Sequence, residues 1–203
     1  MGRRRLAARQ KKARDEHATL AFTDESGFLL LPLVKTTLAP RGHTPVLRHR
    51  AAHRDKVSAA AALTLSPARG HVALYYQTYP DLHVDEAIYG HFLRTLLRQV
   101  RSPVVLLHDR GNMHRGPCVR AVQRDHARRL WVEPFPPYAP ELNPAEGVWN
   151  HAKDKELANF VPRALPELES AVCECLEVVR HDQDRLRSFL LGTPLSWNAT
   201  GLF

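Results

Sequence analysis

Residues 134–155, reading PFPPYAPELNPAEGVWNHAKDK, constrain the fold more than any other stretch of this chain. Prolines at 134, 136, 137, 140 and 144 keep the first half stiff and deny it a helix. The helix then has a defined start. Asn143 is a good N-cap, Pro144 suits the first helical position and Glu146 falls at the third. The Glu146 carboxylate therefore stands at the mouth of a helix, aimed by a rigid loop. Two further acids close apolar, strand-like runs: Asp24 in LAFTDESGF and Asp109 in PVVLLHDRGNMHRG. Three carboxylates, two at strand ends and one on a late helix, suit a site that holds divalent metal against phosphate.

Periodicity supplies the framework around them. Residues 20–24 and 28–34 read as two short strands, or as one strand with a turn at Glu25-Ser26-Gly27. Strands are expected at 56–65 and 72–78, although the alanines of the first leave a helix open there. Ile88, Phe92, Leu96 and Val100 recur at four-residue steps and predict a helix over 85–100. The apolar run 103–107 fits a buried central strand. A helix over 117–129, a strand over 130–133 and helices over 144–160 and 166–179 follow. Strands first, then strands linked by helices, imply an α/β architecture with a mixed sheet covered on both faces.

The formal net charge of +8 is concentrated at one end. Residues 1–14 carry seven basic side chains and no acid, so the rest of the chain is close to neutral. Such a tail attracts nucleic acid, or is merely solvated. Within the body, nine arginines between residues 94 and 129 face only Asp109 and Asp125. That asymmetry suits a polyanion groove if the basic segments meet in space. Nothing approaches the ~20 consecutive apolar residues of a membrane span, and the basic start has no apolar region after it as a secretory signal would. Cys118, Cys173 and Cys175 are too few and too unevenly spaced for a disulfide framework, so a reducing cytoplasm is expected.

Four pieces of the chain, in order, resemble the catalytic domain of bacterial insertion-sequence transposases related to the mariner elements, members of the DDE superfamily of endonucleases. They are FTDESGF (22–28), APRGHTPVL (39–47), LLHDRGNMHRG (106–116) and PPYAPELNPAEGVWNHAK (136–153). Asp109-Arg110 stands where members more often carry Asp-Asn. The resemblance implies a ribonuclease-H-like fold, with 1–16 as a basic lead-in, 17–182 as the catalytic domain and 183–203 as a C-terminal extension. It implies that Asp24, Asp109 and Glu146 are catalytic and bind metal, Mg2+ or Mn2+, as two ions. The reaction implied is phosphodiester cleavage at element ends and strand transfer into target DNA, by a homodimer or larger assembly in the nucleoid-bearing cytoplasm. Members carry helix-turn-helix modules before this domain, and with Asp24 so early no room for them is expected here. A partner reading frame would then supply end recognition, or the chain is a truncated, non-catalytic remnant that binds nucleic acid without specificity.

Each residue also has a plainer role. Glu146 can complete a capping box with Asn143, and Asp109 can cap the turn before Gly111. Alternation sets Asp24 with Leu20 and Phe22 on the inward side, which favours it over Glu25 as the metal ligand. His108 and His114 bracket Asp109 without the paired spacing of a zinc site; a role supporting the metal ligands or contacting phosphate is favoured, with plain surface placement as the alternative. Candidate DNA contacts are Arg110, His114, Arg115, Tyr138, Asn150 and Lys153, each with ordinary surface placement as the alternative.

Overall fold

The first apolar run makes one strand, not two. In the computed structural model, which describes residues 17–48, 55–66 and 70–195, β1 (Thr19–Leu29) passes straight through Glu25-Ser26-Gly27. Its antiparallel ladder with β2 (Lys56–Leu65) runs unbroken from Leu20↔Leu65 to Leu29↔Lys56. Continuous pairing overrides the local turn preference of those three residues. The strand expected to reach residue 34 stops at Leu29.

The alanine run of β2 is a strand because its two faces bury different cores. Ala59 and Ala61 face one hydrophobic cluster, Ala60 and Ala62 the other, and all four are fully buried. Small side chains let helices approach this strand from both sides. With β3 (Val72–Pro80), β4 (Val104–His108) and β5 (Leu130–Pro134) the sheet order is β3-β2-β1-β4-β5. β2 is antiparallel to β1 and β3, while β4 is parallel to β1 and β5.

Helices α1 (Glu86–Gln99) and α2 (Pro117–Asp125) cover one face, where Tyr89, Phe92, Val119 and Val122 pack on Ala21 and Leu106. The Asp85 side chain caps α1 by accepting from Ile88 N at 2.8 Å. Glu86 reaches across to accept from Cys118 N at 2.6 Å, capping α2 from another element. A Cβ on Gly116 would lie 1.5 Å from the Glu86 carboxylate, so the glycine makes room for that cap.

The other face is covered by α3 (Ala145–His151), α4 (Leu165–His181) and α5 (Gln183–Leu191). Leu186 and Leu190 of α5 are fully buried in the same core, so the domain's packing continues past residue 182 into the expected extension. α3 is shorter than expected because a π-turn, Ala152–Glu156, follows it, with Leu157 N donating to Ala152 O at 2.8 Å. Asn159 then ties down the arm after β1: its N–H donates to Leu33 O at 3.0 Å and its side-chain oxygen accepts from Lys35 N at 2.8 Å. The APRGHTPVL piece lies on this exposed arm. The basic run 1–14 lies outside the described residues.

Candidate active site

Asp24 lies mid-strand rather than at a strand end, yet at a break in pairing. The parallel β1–β4 ladder stops at Phe22↔Leu107, so Asp24 is the next residue on the α3 side after it ends. Asp109 follows His108, the last residue of β4. Glu146 projects from the first turn of α3. Asn143 joins these parts. Its side-chain oxygen accepts from Ala145 N, the first residue of α3, at 3.2 Å, and its amide donates to Thr23 O at 3.2 Å. One side chain thus starts the helix and docks that start on the strand, one residue before Asp24.

The three carboxylates line one cleft of about 400 Å3, closed by Arg110, Gly111, Asn143 and the Pro-rich loop from Phe135 to Pro140. Burial pushes Asp24 up from 3.8 to about 8, and the charges of Glu146, Glu25 and, least, Asp109 add to the shift. A carboxylate array in this state either keeps a proton or takes a cation. Among the described residues no three acidic, histidine or cysteine side chains close on one point as a caged ion requires. The donor chemistry nevertheless fits Mg2+ or Mn2+, which take oxygen ligands and keep several waters of their own.

Behind Asp109 stands His114, on the side of β1 to which alternation turns Glu25. His114 is buried, with its side chain 2% exposed, and it is pinned at both nitrogens. Nδ1 lies 2.6 Å from Asp109 Oδ1, and Nε2 lies 3.2 Å from Glu25. Burial works against charge on His114, but the Glu25 hydrogen bond and charge, with Asp109, raise its pKa above the ordinary histidine value. The neighbouring His108 is pushed down to about 3, chiefly by burial and then by the charge of His114. It stacks on Tyr89, whose hydroxyl shares a 2.8 Å hydrogen bond with Thr23. His114, expected as a DNA contact, has a buried ring whose two nitrogens face Asp109 and Glu25. Glu25, which alternation turns away from the cleft, reaches the site from behind.

The other expected contacts divide. Arg110 donates through Nε to Phe135 O at 3.0 Å, Arg115 to Arg110 O at 2.6 Å, and Arg120 to Arg115 O at 2.5 Å. Each guanidinium of this series is anchored on a backbone carbonyl. The series lines a trough of about 560 Å3 that begins at Asp109 and runs along the outer strand β5. Tyr138 is fully exposed at the tip of the Pro loop, in a left-handed conformation with φ of 55°. Asn150 is exposed on α3. Lys153 is not in this group. The π-turn carries it away to a separate apolar groove, where Nζ lies 5.4 Å over the Phe28 ring.

A five-stranded sheet of this order, with helices on both faces and acids gathered beside its central strands, defines a ribonuclease-H-like nuclease domain. The family described as DDE superfamily endonuclease matches residues 19–168, and the chain belongs to it. No curated protein matches. Among solved structures, the Mos1 transposase paired-end complex with left transposon end matches with TM-score 0.65 and 20% identity, covering 97% of this chain and 58% of that one. The Mos1 mariner paired end complex with Mn gives 0.65 and 19%, with 97% and 58% covered. The catalytic domain of Mos1 mariner transposase gives 0.62 and 17%, with 97% and 87% covered. The chain thus spans under three fifths of the longer Mos1 chains and most of the catalytic-domain chain.

Proposed function

We propose that this chain is the catalytic domain of a metal-dependent DNA transposase of the mariner-related insertion-sequence type, cutting element ends and joining them to target DNA. The observation that carries the reading is the single cleft lined by Asp24, Asp109 and Glu146, acids from β1, the end of β4 and the start of α3. They would hold Mg2+ or Mn2+, as two ions. Bound there, such ions supply a water acidic enough to attack phosphorus and a positive field for the in-line oxygens.

The remaining work falls to the chain itself. Asn143 keeps Glu146 in register with β1. Arg110, Arg115 and Arg120 draw the phosphate backbone toward Asp109, and Tyr138 offers an aromatic face for an unpaired base. Asn150, exposed one turn beyond Glu146, is a further backbone contact. Lys153, apart from the cleft, contributes charge farther along the duplex. Assembly on DNA as a homodimer or larger complex belongs to the same reading.

Asp24→Asn, Asp109→Asn and Glu146→Gln each keep side-chain shape and remove a metal-binding charge. Each is expected to abolish Mg2+- or Mn2+-dependent strand cleavage while thermal melting still shows a folded domain. Cleavage retained in all three variants would mean that the acids are only structural.

A further inference from the structure

We propose that Glu25 and His114 are positioning residues for this site: Glu25 orients the His114 ring, and His114 holds Asp109 by one carboxylate oxygen. The proposal rests on the reading of Asp109 as a metal ligand.

Asp109 needs such a device. It sits on a turn after β4, and its side chain is 62% exposed. An exposed aspartate samples several rotamers, and holding it in one that faces the cleft has an entropic cost. Two contacts reduce that freedom. Gly111 N donates to Oδ1 at 2.7 Å, and His114 Nδ1 lies 2.6 Å from the same oxygen as an ion pair while sharing a 3.3 Å hydrogen bond with the Asp109 backbone carbonyl. No donor among the described residues reaches Oδ2. The carboxylate is thus fixed by one oxygen and free at the other.

The ring that does this is itself fixed. Tyr89 packs at 4.4 Å and His108 at 4.5 Å between ring centroids. Glu25 lies 3.2 Å from Nε2 with both carboxylate oxygens. A half-hidden carboxylate, 13% exposed on the helix-covered side of β1, is costly without such a partner. With Glu25 against Nε2 and Asp109 against Nδ1, the ring cannot turn over without breaking both contacts. Ligating carboxylates are commonly held in this way by outer hydrogen bonds, and loss of such a partner costs metal affinity.

The test is Mn2+ titration of the 203-residue chain by calorimetry, with nicking of supercoiled DNA in Mn2+ as a parallel readout. His114→Ala and Glu25→Ala are expected to weaken Mn2+ binding by about ten-fold. His114→Asn, whose amide stands near the place of Nδ1, should recover most of that loss, which a purely space-filling histidine would not show. Thermal melting checks that each variant is folded. If the alanine variants do not fold, Glu25→Gln, which keeps an acceptor but drops the charge, decides: weaker Mn2+ binding is expected, and unchanged affinity overturns the proposal. Wild-type Mn2+ affinity in folded His114→Ala and Glu25→Ala also overturns it, provided Asp109→Asn has lost both binding and nicking. Wild-type binding and nicking in Asp109→Asn instead overturns the underlying reading of the site, and the proposal with it.

Discussion

Asp24 carries a pH signature that the metal-free chain should display. Its folded pKa, about 8, lies above the ordinary 3.8, through burial first and the Glu146 and Glu25 charges next. Between those values the folded protein holds a proton that the unfolded chain has released. Stability from this group is therefore full below the unfolded value and is lost as pH rises through the folded one. Urea unfolding without metal should give a lower midpoint at about pH 9 than at about pH 5. Asp24→Asn should flatten that difference, and an unchanged slope in the variant would remove Asp24 as its source. His108 has the opposite sign. Held near 3 by burial, it loses stability as pH falls below its unfolded value, so the two groups limit the pH range from either side.

At the scale of elements, α3 is the part most sensitive to its neighbours. Gly147 lies where α3 crosses α5, and an added Cβ would come within 2.9 Å of the Phe189 ring. Alanine gains about 1 kcal/mol of helix propensity over glycine, while forcing the ring aside costs about 1–3 kcal/mol. Gly147→Ala is expected to be a net loss, of about 1 kcal/mol, measured by urea unfolding. Because Glu146 is the adjacent residue, metal-dependent cleavage should fall by more than this loss of stability explains. In a Phe189→Ala background, which removes the two nearest atoms and leaves only the Cβ at 3.2 Å, the same change should cost less; an equal loss in both backgrounds would show that the Phe189 ring is not the obstacle.

For the molecule as a whole, electrostatics decide how it meets DNA. The trough along β5 holds Arg110, Arg115 and Arg120, each anchored on a backbone carbonyl. The double variant Arg115→Ala/Arg120→Ala should weaken binding equally on element-end and scrambled DNA. It should lower the slope of log K against log salt by about 2, roughly one for each phosphate no longer neutralised. A filter-binding salt series gives both numbers. Weakening confined to element-end DNA would place these arginines in base recognition instead. The acid-rich α4–α5 junction, with Glu174, Glu177, Asp182 and Asp184, lies in a separate trough from these arginines.

Much of this organisation is legible in the chain because it is local. Proline geometry and Asn143 set the start of α3 and place Glu146 in its first turn. Two-residue alternation alone separates Asp24 from Glu25, and four-residue spacing marks α1. The helix α5 is harder to see as part of the domain, since Leu186 and Leu190 gain meaning only from the core they enter. What local spacing cannot decide depends on partners far apart in sequence. A continuous ladder with β2 makes Glu25-Ser26-Gly27 strand instead of turn. Asn143 finds its second partner 120 residues away, at Thr23, and His114 finds Glu25 across 89 residues. A π-turn, whose shift in register no residue preference announces, moves Lys153 out of the cleft. The sequence by itself marked which acids could form the site, because Asp24 stands on an alternating strand, Asp109 directly after an apolar one and Glu146 in the first turn of a helix. Only tertiary packing decided which side chains hold them, because hydrogen bonds between distant segments exist only once the sheet has brought those segments together.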